Sequence, residues 1–236
     1  MTKWQVELTG ERFDLEELPS LFTSPDFRVL DEEGAFYLES SVLDVLEESG
    51  AVSHEAERIL PILNGAAKLK ISNYRNVELG SGIVEIDATG RRRHQVIRVG
   101  AAETRAKAFP VTVRLGGVEP VPPAPGTRAT DKWVELAAQD SDVAEALATL
   151  GSRPHDWFNL YKVFEIIQSR ADFKGNGWAS DKEVSRFTWT ANHPEAGGDE
   201  ARHARLSQKP PARPMTLGEG DAFVAQLLTE WLCSLL

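Results

Sequence analysis

A single cysteine, Cys233, stands in the 236 residues. One thiol cannot close an intramolecular disulfide, and a cysteine cage for zinc needs at least two thiolates, so both are excluded within one chain. Its place in the apolar stretch AFVAQLLTEWLCSLL predicts a small buried hydrophobe. Long apolar runs are also missing. Nothing reaches the roughly 18 apolar residues that a membrane-spanning helix needs. The C-terminal stretch comes nearest and is broken by Gln226, Thr229 and Glu230. The opening MTKWQVELTGERFDLEE has no apolar core of the signal-peptide kind. These absences predict a cytoplasmic protein with no membrane partner. Positive charge is scarce too. Twenty-six Lys and Arg face 36 Asp and Glu, a net charge of -10. That excludes a surface wholly coated by nucleic acid or held on anionic lipid, and leaves room for one local basic site.

The familiar nucleotide and hydrolase signatures are absent as well: no GxxxxGK[ST], no GxGxxG and no GxSxG. The five histidines, His54, His94, His155, His193 and His203, show no close ligand spacing. No cofactor and no metal site are expected.

What is present is clear organisation. The proline-rich stretch GGVEPVPPAPGTRAT forbids a helix and reads as an extended linker. It divides the chain into residues 1–115, a linker over 116–129, and residues 130–236. Before it the period is that of strands. Trp4, Val6 and Leu8 alternate with polar residues. Phe27–Leu30 and Ala35–Leu38 flank Asp31-Glu32-Glu33-Gly34 and read as a hairpin. Val77–Leu79 and Ile83–Ile86 flank Gly80-Ser81-Gly82 and read as another. Gln95–Val99 and Val111–Leu115 read as further strands. Val52, Ala56, Ile59, Leu60 and Leu63 mark a helix that Pro61 should kink or divide. The expectation is α+β: a small antiparallel sheet with one or two helices.

After the linker the period becomes that of helices. Trp133, Leu136 and Ala137 begin it, and Val143, Ala146, Leu147 and Leu150 follow. Trp157, Leu160, Tyr161, Phe164 and Ile167 form an i, i+3, i+4, i+7 stripe, with Pro154 in the first turn. Ser180–Glu183 and Thr216–Glu219 have capping-box spacing. Val224, Leu227, Leu228, Trp231, Leu232 and Leu235 share one face of the last helix. Four or five helices in this span predict a bundle.

The most informative stretch for chemistry is RFTWTANHPEAGGDEARHARL. Between Lys182 and Arg213 six cations face four carboxylates, a local excess of +2 in an acidic chain. Such a stretch suits a phosphate-bearing ligand. His can serve as general acid or base near neutral pH, and Arg can grip a phosphate through two bonds. The spacing of Arg186 and His193, with six residues between, resembles the motif of the HEPN superfamily of helical-bundle nucleases. The resemblance covers about residues 130–236. It implies metal-independent RNA cleavage or RNA binding, often by a homodimer, and often in antiviral defence or as a toxin. It would make His193 the general acid/base and Arg186 the phosphate clamp. His203 would be a further catalytic residue and Asn192, Arg202 and Arg205 would bind phosphate, with Arg202-His203 an alternative centre. The sheet half would then position a partner protein. Two other readings stand beside it. Thr190-Ala191-Asn192-His193-Pro194 also reads as an ordinary helix end, and the bundle as a non-enzymatic dimerisation or adaptor module. Arg91-Arg92-Arg93-His94, placed at a hairpin tip, is a second candidate for phosphate and equally a solvated turn.

Overall fold

The computed structural model describes residues 2–96, 126, 128–152, 156–193 and 213–236. The fold is α+β. Six antiparallel strands lie in the order β2-β3-β4-β1-β5-β6. They are β1 (Lys3–Thr9), β2 (Thr23–Ser24), β3 (Phe27–Glu32), β4 (Ala35–Ser40), β5 (Glu78–Ile86) and β6 (Arg92–Val96). Helices α1 (Arg12–Leu21) and α3 (Ser49–Lys68) accompany the sheet, with the single turn α2 (Ser41–Asp44) between them. Five helices follow among the described residues: α4 (Ala129–Gln139), α5 (Ser141–Gly151), α6 (Trp157–Arg170), α7 (Asp181–Asn192) and α8 (Leu217–Ser234). The strand expected at 111–115, most of the 116–129 linker and Pro154 lie outside the described residues.

Alternation places Trp4, Val6 and Leu8 of the central strand in the core. The β3–β4 hairpin turns on Glu33 and Gly34, both at positive φ (55° and 89°), as a two-residue hairpin loop requires. The expected hairpin at Gly80-Ser81-Gly82 does not form. These residues run straight through β5, which pairs with β1 along its length across a bulge between Val6 and Leu8. The glycines make room for Glu7. A Cβ on Gly80 would lie 2.6 Å from Glu7 Oε2, and the Gly82 N–H donates to that oxygen at 2.9 Å. The real hairpin joins β5 to β6. Its turn is tied by the Asp87 carboxylate, which accepts from the Thr89 and Arg91 N–H groups.

Pro61 does not divide α3, which continues for 20 residues. The helix tolerates the missing N–H because its flank is held by packing: Ile59, Ile62 and Leu63 are all buried. Helix α3 is also the hinge of the architecture, since it packs on the sheet and on α5. At the α3–α5 crossing, Gly65 and Gly151 bring the two backbones into contact. A Cβ on Gly151 would lie 1.9 Å from the Pro61 carbonyl oxygen. One hydrophobic core therefore runs from Trp4 through Leu63 and Leu147 to Leu232. Polar ties cross the same boundary. Asp131 of α4 accepts from the Thr23 and Ser24 N–H groups, Lys68 Nζ donates to the Leu150 carbonyl, and Asn76 Nδ2 donates to that of Gly151.

Among the later helices, α6 buries Trp157, Leu160, Val163, Phe164 and Ile167. Phe187 of α7 is the hub of an aromatic cluster, with ring centroids 5.1 Å from Phe164, 5.3 Å from Phe223 and 6.0 Å from Trp157. Cys233 is exposed rather than buried. It falls just off the face of α8 that carries Leu228, Trp231 and Leu232, and so it turns outward.

Candidate functional site

Helix α7 carries the candidate pair. It opens with a full capping box: Ser180 Oγ accepts from the Glu183 N–H, and Glu183 Oε2 accepts from the Ser180 N–H at 2.9 Å. Buried Phe187, Thr190 and Ala191 fix its rotation against the core. It ends at Asn192, with His193 as C-cap. The stretch Thr190–His193 is thus a helix end, one of the two ways its sequence reads.

Arg186 and Thr190, one turn apart, share one face of α7, and His193 follows as its C-cap with extended backbone. That face meets the start of α8. Arg186 Nε donates to the Arg213 carbonyl at 2.9 Å, and Nη2 to the Pro214 carbonyl at 3.2 Å. Nη2 also reaches both oxygens of Glu219, at 3.0 and 3.1 Å. One turn on, Thr190 Oγ1 accepts from the Met215 N–H at 3.0 Å. Glu219 in turn closes the capping box of α8, its Oε2 accepting from the Thr216 N–H at 2.8 Å. Arg186 is thus a clamp between two helices. His193 is buried at 2% exposure. Asn192 turns back along its own helix, Nδ2 donating to the Thr188 carbonyl at 2.8 Å. Arg202, His203 and Arg205 lie outside the described residues.

The Thr216 N–H, and after it the Arg186 guanidinium, hold the Glu219 carboxyl below its usual range. A depressed carboxyl stabilises the fold above its unfolded pKa, and that contribution is lost as pH falls through the folded pKa. Unfolding followed from neutral pH down to pH 2 should therefore show a steeper acid loss in the wild type than in Glu219→Gln. Parallel curves would show that the clamp contributes nothing through charge.

No protein-family model, no curated protein and no solved structure matches this chain. None of the three identifies a HEPN domain.

The second basic candidate is spread along a strand. Arg91 closes the β5–β6 turn, and Arg92 and Arg93 enter β6. Arg92 pairs with Glu32 at 2.7 Å and donates to Gln5 Oε1. Arg93 pairs with Glu85 at 3.9 Å. Two of its three arginines are thus partnered by carboxylates. Among the described residues no group of three or more His, Cys, Asp or Glu side chains could hold a metal ion. No helix among them is long and apolar enough to cross a membrane.

Sequence reasoning did not single out Glu219 as the partner of Arg186, nor Asp131. The signal for Glu219 was its capping-box position; for Asp131, only its place in the first turn of a helix.

Proposed function

We propose that this protein binds RNA as a HEPN-like module and does not cut it through Arg186 and His193. The engagement of Arg186 carries the second half of this reading, and the local excess of positive charge between Lys182 and Arg213 supports the first. A phosphate clamp needs a guanidinium free to fork onto two oxygens. Here Nε and Nη2 already serve two carbonyls and Glu219, whose charge cancels that of the arginine. A general base must also reach the proton it removes, and His193 is buried. Phosphate contact then falls to Arg202, Arg205 and Lys209 of the basic stretch.

The test is fluorescence polarisation with labelled single-stranded RNA. If these three cations each neutralise one phosphate, affinity should fall about twentyfold between about 50 and 200 mM salt. The triple variant Arg202→Ala, Arg205→Ala, Lys209→Ala should lose most of that salt dependence. Total RNA incubated with the protein and EDTA should stay intact. Absence of RNA binding at low salt would overturn the proposal.

A second reading, metal-independent RNA cleavage, is favoured by one observation: Arg186 stands on α7 and His193 caps the end of the same helix. It requires EDTA-resistant cleavage that His193→Ala or His203→Ala abolishes.

A further inference from the structure

A cavity of about 260 Å³ opens between the β2–β3 turn, the start of α2, and helices α3 and α4. Its floor is apolar, built by Phe27, Ile59, Ile62 and Val134, with Val42 exposed at the mouth. An apolar cavity of about 150 Å³ is enough to take a benzene ring. The volume here has room for a ring and a short alkyl chain. The rim carries Asp26, Glu135 and Arg58. Arg58 is already neutralised: its Nε donates to both oxygens of Glu55, at 3.1 and 3.0 Å, and Nη2 to Oε1 at 2.6 Å. Asp26 holds its neighbours through its backbone, the carbonyl accepting from the Ser41 N–H and from Ser40 Oγ. Among the described residues, neither the Asp26 nor the Glu135 carboxylate has an ion-pair partner. An apolar floor under two carboxylates with no ion-pair partner among the described residues, in a chain of net charge -10, selects for a cation with a hydrophobic body.

We propose that this cavity is a binding site for a small hydrophobic ammonium of arylalkyl size, its ring on the floor of Phe27, Ile59 and Ile62 and its ammonium between Asp26 and Glu135. The site is remote in sequence from Arg186 and His193 and independent of any RNA function.

Three probes share one body and differ in charge: 2-phenylethylammonium, 2-phenylethanol and phenylacetate. Binding to the full chain is read by saturation-transfer NMR titration. The ammonium should bind about fivefold or more tighter than the alcohol, and phenylacetate weakest of the three. In the double variant Asp26→Asn, Glu135→Gln the ammonium should fall to the affinity of the alcohol, while the alcohol is unchanged. Ala138→Trp, at the rim, should fill the cavity and remove all three. Circular dichroism checks that each variant is folded. Equal affinity for the three probes would overturn the proposal. So would an ammonium preference that survives in the double variant, binding that survives Ala138→Trp, or no binding of any probe up to its solubility limit.

Discussion

Gly151→Ala is expected to lower the urea midpoint sharply, with a loss of more than about 4 kcal/mol of stability. The new methyl would stand 1.9 Å from the Pro61 carbonyl oxygen and 2.6 Å from the Gly65 nitrogen. Overpacking a core costs about 1–3 kcal/mol when neighbouring side chains can move aside. Here the neighbours are backbone atoms of a 20-residue helix, so α3 and α5 must separate. That separation opens the one core shared by the sheet and the later helices. The expected loss exceeds about 4 kcal/mol, a large part of the roughly 5–15 kcal/mol by which domains of this kind are stable. Gly65→Ala should do the same, because its Cβ would lie 2.0 Å from the Leu147 carbonyl oxygen. The control is Gly50→Ala in the first turn of α3, where nothing stands within 4 Å. It should gain up to about 1 kcal/mol by restricting the unfolded chain. Urea unfolding followed by tryptophan fluorescence reads all three. A Gly151→Ala midpoint equal to that of the wild type would show that the helices do not cross as closely as described.

The helices were the most legible part of the sequence, because their signals are local. The stripe of Trp157, Leu160, Phe164 and Ile167 lies within one helix, and each capping box within four residues. The β3–β4 hairpin was legible for the same reason: the two-residue turn at Glu33 and Gly34 sits between its own strands. Misreadings arose where the partner is remote. Gly80 and Gly82 look like a turn until Glu7, on another strand, is seen to occupy the space above them. Pro61 looks like a breaker until the packing that holds α3 is in place. Arg186 looks like a phosphate clamp, and its actual partner, Glu219, is 33 residues away. Spacing along one helix shows which residues share a face, but not what that face meets. Three of the six candidate site residues, Asn192, Arg186 and His193, belong to the end of α7 and its seam with α8. The asparagine bonds its own helix, the arginine ties two helices together, and the histidine is buried.

Asp131→Ala is the second change expected to act strongly, with a loss of about 3–4 kcal/mol. Asp131 is 1% exposed. Its Oδ1 accepts from the Thr23 N–H at 2.8 Å and the Ser24 N–H at 3.0 Å, and its Oδ2 from the Thr23 hydroxyl at 2.8 Å. Alanine would strand two backbone donors and a hydroxyl in a buried seam, at about 1–3 kcal/mol for each group that finds no water. Asp131→Asn separates geometry from charge. The amide oxygen can keep both backbone donors, and Nδ2 can donate to Thr23 Oγ1, which already accepts from the Gly126 N–H. Only the hydroxyl proton of Thr23 then lacks its acceptor. The buried negative charge, which has no cation partner among the described residues, is removed as well. Asparagine should therefore cost about 1 kcal/mol or less. If both variants lose the same stability, the charge itself matters; if neither does, the seam is not held by this residue. The effect should also reach the cavity. Ser24 and Val134 line it together, and Asp131, one turn before Val134 on α4, ties the strand of the first to the helix of the second. Asp131→Ala should weaken binding of all three phenyl probes alike, because it loosens the wall without touching the two rim carboxylates. Asp131→Asn should leave both the affinities and their order by charge in place.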